Sequence, residues 1–94
     1  MHGLSEDAYN KIKQVLDKHE NVVFKLFGSR ARGDYKYNSD IDIAIMNEIS
    51  DKELFKIKDE FDDLYIIYMY DIVYVPKITN QKLIDNILKE GVDF

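Results

Sequence analysis

The feature that most constrains this chain is Gly28-Ser29-Arg30-Ala31-Arg32-Gly33, set directly after the apolar run Val22-Val23-Phe24-Lys25-Leu26-Phe27. A β-branched and aromatic run of this length predicts a strand. The glycine at its end predicts a sharp turn into a short helix. Such a turn leaves backbone N–H groups unpaired and aimed at one point, where phosphate oxygens can accept them. A few residues on, Ser39-Asp40-Ile41-Asp42 opens a second apolar run through Ile43, Ala44, Ile45 and Met46. Residues two apart share a strand face, so Asp40, Asp42 and Ala44 point one way and Ile41, Ile43 and Ile45 the other. Like charges side by side repel unless a cation sits between them. A hard divalent ion such as Mg²⁺, held by paired carboxylates and substrate phosphates, answers that need. Phosphate cradle and metal-binding aspartates together point to nucleotide chemistry.

The remaining elements follow from caps and periodicity. Ser5 with Glu6 and Asp7 reads as an N-cap with acidic residues in the first turn. Ala8, Ile12, Val15 and Leu16 then recur at helical spacing to about Lys18. His19 reads as a solvated residue at that helix's end, and His2 as part of a frayed terminus. Ser29 to about Asp34 is a short helix closed by Gly33, and Tyr35 to Ser39 a polar loop. Arg32-Gly33-Asp34 therefore reads as a helix C-terminus rather than an adhesion motif. Ser50-Asp51-Lys52-Glu53 predicts a capping box, with Glu53 reaching back to Ser50. Its helix carries Leu54, Ile57, Phe61 and Leu64 on one stripe, with Lys52, Lys56, Lys58, Asp59 and Glu60 on the solvated face. Tyr65 to Val75 predicts a third strand, ended by Pro76. Within it Asp71, Val73 and Val75 share the face opposite Tyr70, Ile72 and Tyr74. An aspartate in such an apolar strand is costly unless something compensates it. A last helix begins near Thr79 or Asn80, buries Leu83, Ile84, Ile87 and Leu88, and stops at Gly91. The order αβαβαβα over residues 1–94 predicts one small α/β domain, a sheet packed with helices.

Composition narrows the function. At 94 residues only a little over ~60% of the unfolded surface can be buried, so a partner could matter to such a core. The chain has no Cys, which removes disulfides and thiolate metal sites and suggests a reducing cytoplasm. Met1 to Asp7 does not resemble a signal peptide. The longest apolar-looking run, Leu64 to Val75, contains Asp71 and is too short to span a bilayer. A formal net charge of −5 argues against extended nucleic-acid binding, which needs clustered Lys and Arg. Arg30 and Arg32 form the one local basic spot.

The two motifs resemble the signature of the DNA-polymerase-beta-type nucleotidyltransferase superfamily, and the chain as a whole is similar to its minimal nucleotidyltransferases, the MNT domains. The resemblance implies a palm-like α/β (α+β) fold, a mixed sheet of three to four strands flanked by helices, carrying three acidic residues that map onto Asp40, Asp42 and Asp71. It implies transfer of a nucleoside monophosphate from ATP or another NTP to a hydroxyl, with two Mg²⁺ ions held by these aspartates. Gly28 and Ser29 would bind the β- and γ-phosphates, and Arg30 would neutralise triphosphate charge. Each aspartate also has a plainer use: Asp40 as a turn cap, Asp42 as a strand-edge charge, Asp71 as the partner of an arginine. For Arg32 a structural salt bridge and a functional role stand equal.

MNT proteins are similar to this chain in lacking an acceptor-binding domain, and pair with a helical HEPN-type toxin. The resemblance thus implies an antitoxin that adenylylates a tyrosine of that toxin. Two other readings remain: a non-catalytic module that neutralises a helical partner by contact, suggested by the aromatic run Tyr65 to Tyr70, or transfer to a small molecule.

Overall fold

In the computed structural model, which describes residues 1–94, the chain forms α1 (Glu6–Asp17), β1 (Phe24–Phe27), α2 (Ser29–Arg32), β2 (Ile41–Ile45), α3 (Asp51–Asp62), β3 (Tyr70–Tyr74) and α4 (Gln81–Glu90), with a 3-10 turn at Val75–Lys77. The order is the αβαβαβα that the sequence predicts. Each long helix starts on a side-chain cap. Ser5 accepts from the Ala8 N–H, Ser50 from the Glu53 N–H and Asn80 from the Leu83 N–H, at 3.1–3.2 Å. These bonds satisfy backbone donors that a helix start leaves without partners.

The sheet is mixed, in the order β1-β2-β3. β1 runs antiparallel to β2, with Leu26 opposite Ile43 and Phe27 opposite Asp42. β3 runs parallel to β2, and its register sets Asp71 beside Asp42. Val92 adds a single antiparallel bridge to Leu26 on the outer side of β1. One face of β2, formed by Ile41, Ile43 and Ile45, packs with Ile12, Val15 and Leu16 of α1 and Ile57 and Phe61 of α3. Those three isoleucines are wholly buried, and each such side chain stabilises the fold by roughly 1.5–3 kcal/mol. On the other face Ala44 meets Phe27 and Ile87 of α4. With both faces covered, β2 is the central strand, and the carboxylate of Asp42 interrupts it.

The third strand is shorter than the sequence predicts. Exposure alternates from Tyr65 to Asp71, as an extended chain requires. Ile66, Tyr68 and Tyr70 pack on the core, while Tyr65, Ile67 and Met69 stand out at 90%, 92% and 73% exposure. Ladder pairing nevertheless begins only at Tyr70, opposite Ile41. The last rung is the Ile41 N–H donating to the Met69 carbonyl at 2.9 Å. Before Ile41 the neighbouring chain turns away, and an extended segment without a neighbour is not a strand. Leu88 is a second departure: it is exposed, and α4 buries only Ile87 fully, with Leu83 and Ile84 half-buried.

Both histidines differ from expectation. His2 is half-buried rather than frayed, its ring 5.5 Å from that of Phe94, which stacks on Tyr9. Burial pulls the His2 imidazole below its usual range, while a backbone contact at Phe94 opposes the shift. His19 is buried, not solvated. Its Nδ1 lies 3.1 Å from Glu53 and its Nε2 2.6 Å from Glu60, so one ring ties the end of α1 to two turns of α3. Glu53 is thereby drawn away from the capping-box role: its side chain serves His19 and Asn21, not the Ser50 backbone. Glu60 likewise leaves the solvated face.

The His19 hydrogen bond, joined by Asn21, holds the Glu53 carboxyl below the ordinary range. Burial opposes ionisation of Glu60, but His19 and Lys18 outweigh it and hold that carboxyl low as well. Depressed carboxyl pKa values contribute stability above the ordinary carboxylate range, and the contribution is lost as pH falls through the lowered values. Replacing His19→Leu is expected to cost about 2 kcal/mol at neutral pH, because it leaves two carboxylates facing an apolar side chain. Urea unfolding at a series of pH values checks both the loss and a flattened acid limb in the variant.

Candidate active site

The site is built where β1 ends and β2 and β3 begin. At the end of β1 the chain must reverse over the strand beside it, and Gly28 does so at φ 78°, ψ −159°, as N-cap of α2. A Cβ at Gly28 would collide with a carboxylate oxygen of Asp42. The glycine is thus required twice, by its backbone angles and by the carboxylate resting against it. α2 closes at Gly33, in the left-handed region at φ 94°, whose N–H donates to the Ser29 carbonyl at 2.9 Å. Arg32-Gly33-Asp34 is therefore a helix end.

Asp42 is half-buried, while Asp40 and Asp71 are exposed. Burial pushes the Asp42 carboxyl above its usual range, the charges of Asp71 and then Asp40 push it further, and Arg32 opposes them. At one end of the sheet the charges of Asp71 and Asp40 thus bear on Asp42. No group of three or more His, Asp or Glu side chains is placed to hold a metal ion. The donor set instead fits a hard ion that takes one or two carboxylates and completes its shell with water or phosphate. The mutual repulsion felt at Asp42 is the observation that a cation there would relieve.

Arg30 does not reach this site. Sequence analysis assigns it to triphosphate charge, but it is 2% exposed, with its guanidinium turned into the protein. Nε and Nη2 donate to the Ser39 carbonyl at 3.1 and 2.9 Å, Nη2 to the Tyr37 carbonyl at 3.2 Å, and Nη1 to the His2 carbonyl at 3.0 Å. The rings of Tyr68 and Tyr35 lie 4.9 and 5.2 Å from its Cζ. The loop after α2 turns its carbonyls inward, and only a long, forked donor can satisfy them together. Arg32 takes the structural role: it pairs with Glu90 at 2.9 Å and Asp34 at 3.3 Å, and adds a positive charge within reach of Asp42.

Two residues beside the site are not marked as part of it by the sequence, which assigns Lys58 to a solvated face and Asp62 to no role. A cleft of about 230 Å³ at Asp71 is lined by Lys58, Asp62, Tyr70 and Ile72. Lys58 and Asp62, one helical turn apart on α3, look like any solvated pair until β3 is laid beside them. Tyr70 donates to Asp62, and burial with that carboxylate pushes its phenol up to about 12. The structure therefore brings Gly28, Asp42 and Asp71 together, keeps Asp40 near, sets Ser29 at the head of α2, and removes Arg30 to the core.

A short glycine-led turn against a carboxylate-bearing mixed sheet defines a nucleotidyltransferase fold. The chain belongs to the polymerase beta nucleotidyltransferase family, whose family model matches residues 10–93. It is 35% identical, over 82 residues, to a Methanocaldococcus jannaschii protein named putative protein adenylyltransferase, covering 82% of this chain and 80% of that protein. The crystal structure of a putative nucleotidyltransferase from Sulfolobus solfataricus has the same fold, with a TM-score of 0.51 and 24% identity, covering 93% of this chain and 75% of the other.

Two outcomes test this geometry. A raised carboxyl pKa makes folding less favourable as pH rises through it, because the folded state then holds a proton that it must surrender. Asp42→Asn is therefore expected to raise the melting temperature in metal-free buffer at pH 7, with a gain that shrinks toward pH 4. Thermal unfolding at both pH values checks it. Arg30→Lys is expected to cost about 3 kcal/mol, since one ammonium cannot reach all these carbonyls. In denaturant titrations the variant should unfold at a correspondingly lower denaturant concentration than the wild type.

Proposed function

We propose that this chain is a Mg²⁺-dependent protein adenylyltransferase that transfers AMP from ATP to a tyrosine of a helical, HEPN-type toxin, acting as its antitoxin in a reducing cytoplasm. The observation that carries the nucleotidyl-transfer reading is Asp42. It is a half-buried carboxylate packed on Gly28, with Asp71 beside it in register and its proton affinity raised by both aspartates. A domain that needed only stability would not keep such a cluster, since the repulsion opposes folding. The M. jannaschii relative's name supports protein as the acceptor.

In this reading Gly28, through its backbone, and Ser29, through its hydroxyl, hold the β- and γ-phosphates. Asp40 and Asp42 would hold both metal ions, with Asp71 completing the one on the acceptor side. When bound, Mg²⁺ would supply charge neutralisation for the transfer. The acceptor oxygen forms a bond to the α-phosphorus as the bond to the β-phosphate oxygen breaks and pyrophosphate leaves. Asp71 takes the phenolic proton and passes it to solvent. Arg30 has no place in this chemistry, and its assignment to the triphosphate is dropped.

A second reading, neutralisation by contact alone, draws on the exposed Tyr65, Ile67 and Met69, since aromatic and Met side chains are enriched in interface cores. One experiment separates the two. The protein is incubated with Mg²⁺, α-labelled ATP and a HEPN-type partner, and the products are read by mass spectrometry. AMP is expected on a partner tyrosine, with Asp42→Asn lowering the rate about 1,000-fold, equivalent to ~4 kcal/mol of transition-state stabilisation. A stable complex without AMP, in which Asp40→Asn with Asp42→Asn still neutralises the partner, would establish the contact reading instead.

A further inference from the structure

A second cleft, also of about 230 Å³, is lined by Tyr37, Asn38, Ile67, Tyr68 and Met69. It opens between the two chain segments that deliver the carboxylates. Tyr37 and Asn38 lead through Ser39 to Asp40, and Ile67, Tyr68 and Met69 lead through Tyr70 to Asp71. The two walls are fastened together by backbone. The Ile41 N–H donates to the Met69 carbonyl, and Arg30 fixes the carbonyls of Tyr37 and Ser39 while its guanidinium lies against the Tyr68 ring. The alternation from Tyr65 to Asp71 puts Ile67 and Met69 on the exposed side that Asp71 shares. Tyr37 is held by its carbonyl, lines the cleft and is 89% exposed, so its ring is open to a ligand.

The chemistry of this lining is specific. None of its five side chains is charged, whereas the Asp71 cleft carries Lys58 and Asp62 and a cleft at the start of α3 is lined by Ser50, Lys52, Glu53 and Lys56, with no hydrophobic residue. The fourth cleft lies away from the site, between α1 and the C-terminal residues. A neutral slot with an aromatic wall and a single amide suits a flat, neutral heteroaromatic ligand, which stacks on the ring and takes hydrogen bonds at its edge. An Asn amide offers one donor and one acceptor, the pattern that meets adenine at N6 and N7. A base joined through its ribose to the α-phosphate must lie next to the groups that hold that phosphate.

We propose that the Tyr37–Asn38–Ile67–Tyr68–Met69 cleft is the nucleobase subsite, which takes adenine by stacking on Tyr37 and hydrogen bonding to Asn38. This rests on the nucleotidyltransferase reading above and adds to it the residues that set base preference. The test is equilibrium binding, in Mg²⁺, of ATP and of inorganic tripolyphosphate, which carries the phosphates and no base. The expected result is that the wild-type chain binds ATP at least ten-fold tighter than tripolyphosphate. Tyr37→Ala and Asn38→Ala, both at exposed positions, should each lose most of that difference, about ten-fold for the stacked ring, and leave tripolyphosphate binding unchanged. Equal affinities for the two ligands in the wild type, or variants that keep the full ATP affinity, would overturn the subsite and leave the phosphate site standing. A chain that binds neither ligand overturns the nucleotidyltransferase reading, and the subsite with it.

Discussion

The buried guanidinium of Arg30 is the interaction on which the rest of this small protein depends. It joins three parts of the chain that secondary structure leaves unconnected: the N-terminal residues through His2, the loop through Tyr37 and Ser39, and α2 on which it sits. No carboxylate pairs with it; carbonyl oxygens and two tyrosine rings share the charge. Carbonyls are acceptors of fixed direction, so a forked donor meeting several of them determines where the loop runs. The loop in turn determines where Asp40 enters β2. The clamp fixes the loop between the glycine turn and Asp40, while the strand ladders hold Asp42 and Asp71.

A second constraint works in the opposite sense. Asp42 occupies the central strand at the point where Gly28 folds over it and Asp71 stands beside it. Burial and two like charges make its ionised form unfavourable. The fold tolerates this because Ile41, Ile43 and Ile45, on the other face of the strand, are fully buried against α1 and α3. Alternation along one strand thus separates the residues that stabilise the domain from the residue that destabilises it. That unfavourable ionisation is what a cation at the proposed metal site would relieve.

Much of the fold is legible in the sequence, because its signals are local. Ser5, Ser50 and Asn80 mark helix starts through a cap bond made within three residues. Gly28 and Gly33 mark the ends of a single short helix. The Ile-Asp-Ile-Ala-Ile alternation gives the faces of β2. The misread residues are those whose partners are far away in the chain. His19 and Glu60 are 41 residues apart, and nothing near either announces the other. Glu53 leaves its expected local partner for the same reason. Arg30 sits within a motif whose glycine and serine suggest phosphate, and only its hydrogen bonds to the carbonyls of His2, Tyr37 and Ser39 turn it from the ligand's side. Tyr65, Ile67 and Met69 have strand-forming side chains, yet a strand needs a neighbour, and β2 supplies none before Tyr70.

By itself the sequence determined the element order, the identity of the core isoleucines and the motif that places the chain among nucleotidyltransferases. Each of these depends on spacing, caps or backbone angles within a few residues. The tertiary structure decided which charged groups face one another. It put Asp71 in register with Asp42, sent Arg30 inward and Arg32 to Glu90, closed His19 between two glutamates, and left a neutral slot beside Asp40 and Asp71. Those outcomes depend on strand register and on how α3 lies against the sheet, because the range of a hydrogen bond or charge is set by distance in space, not by separation along the chain.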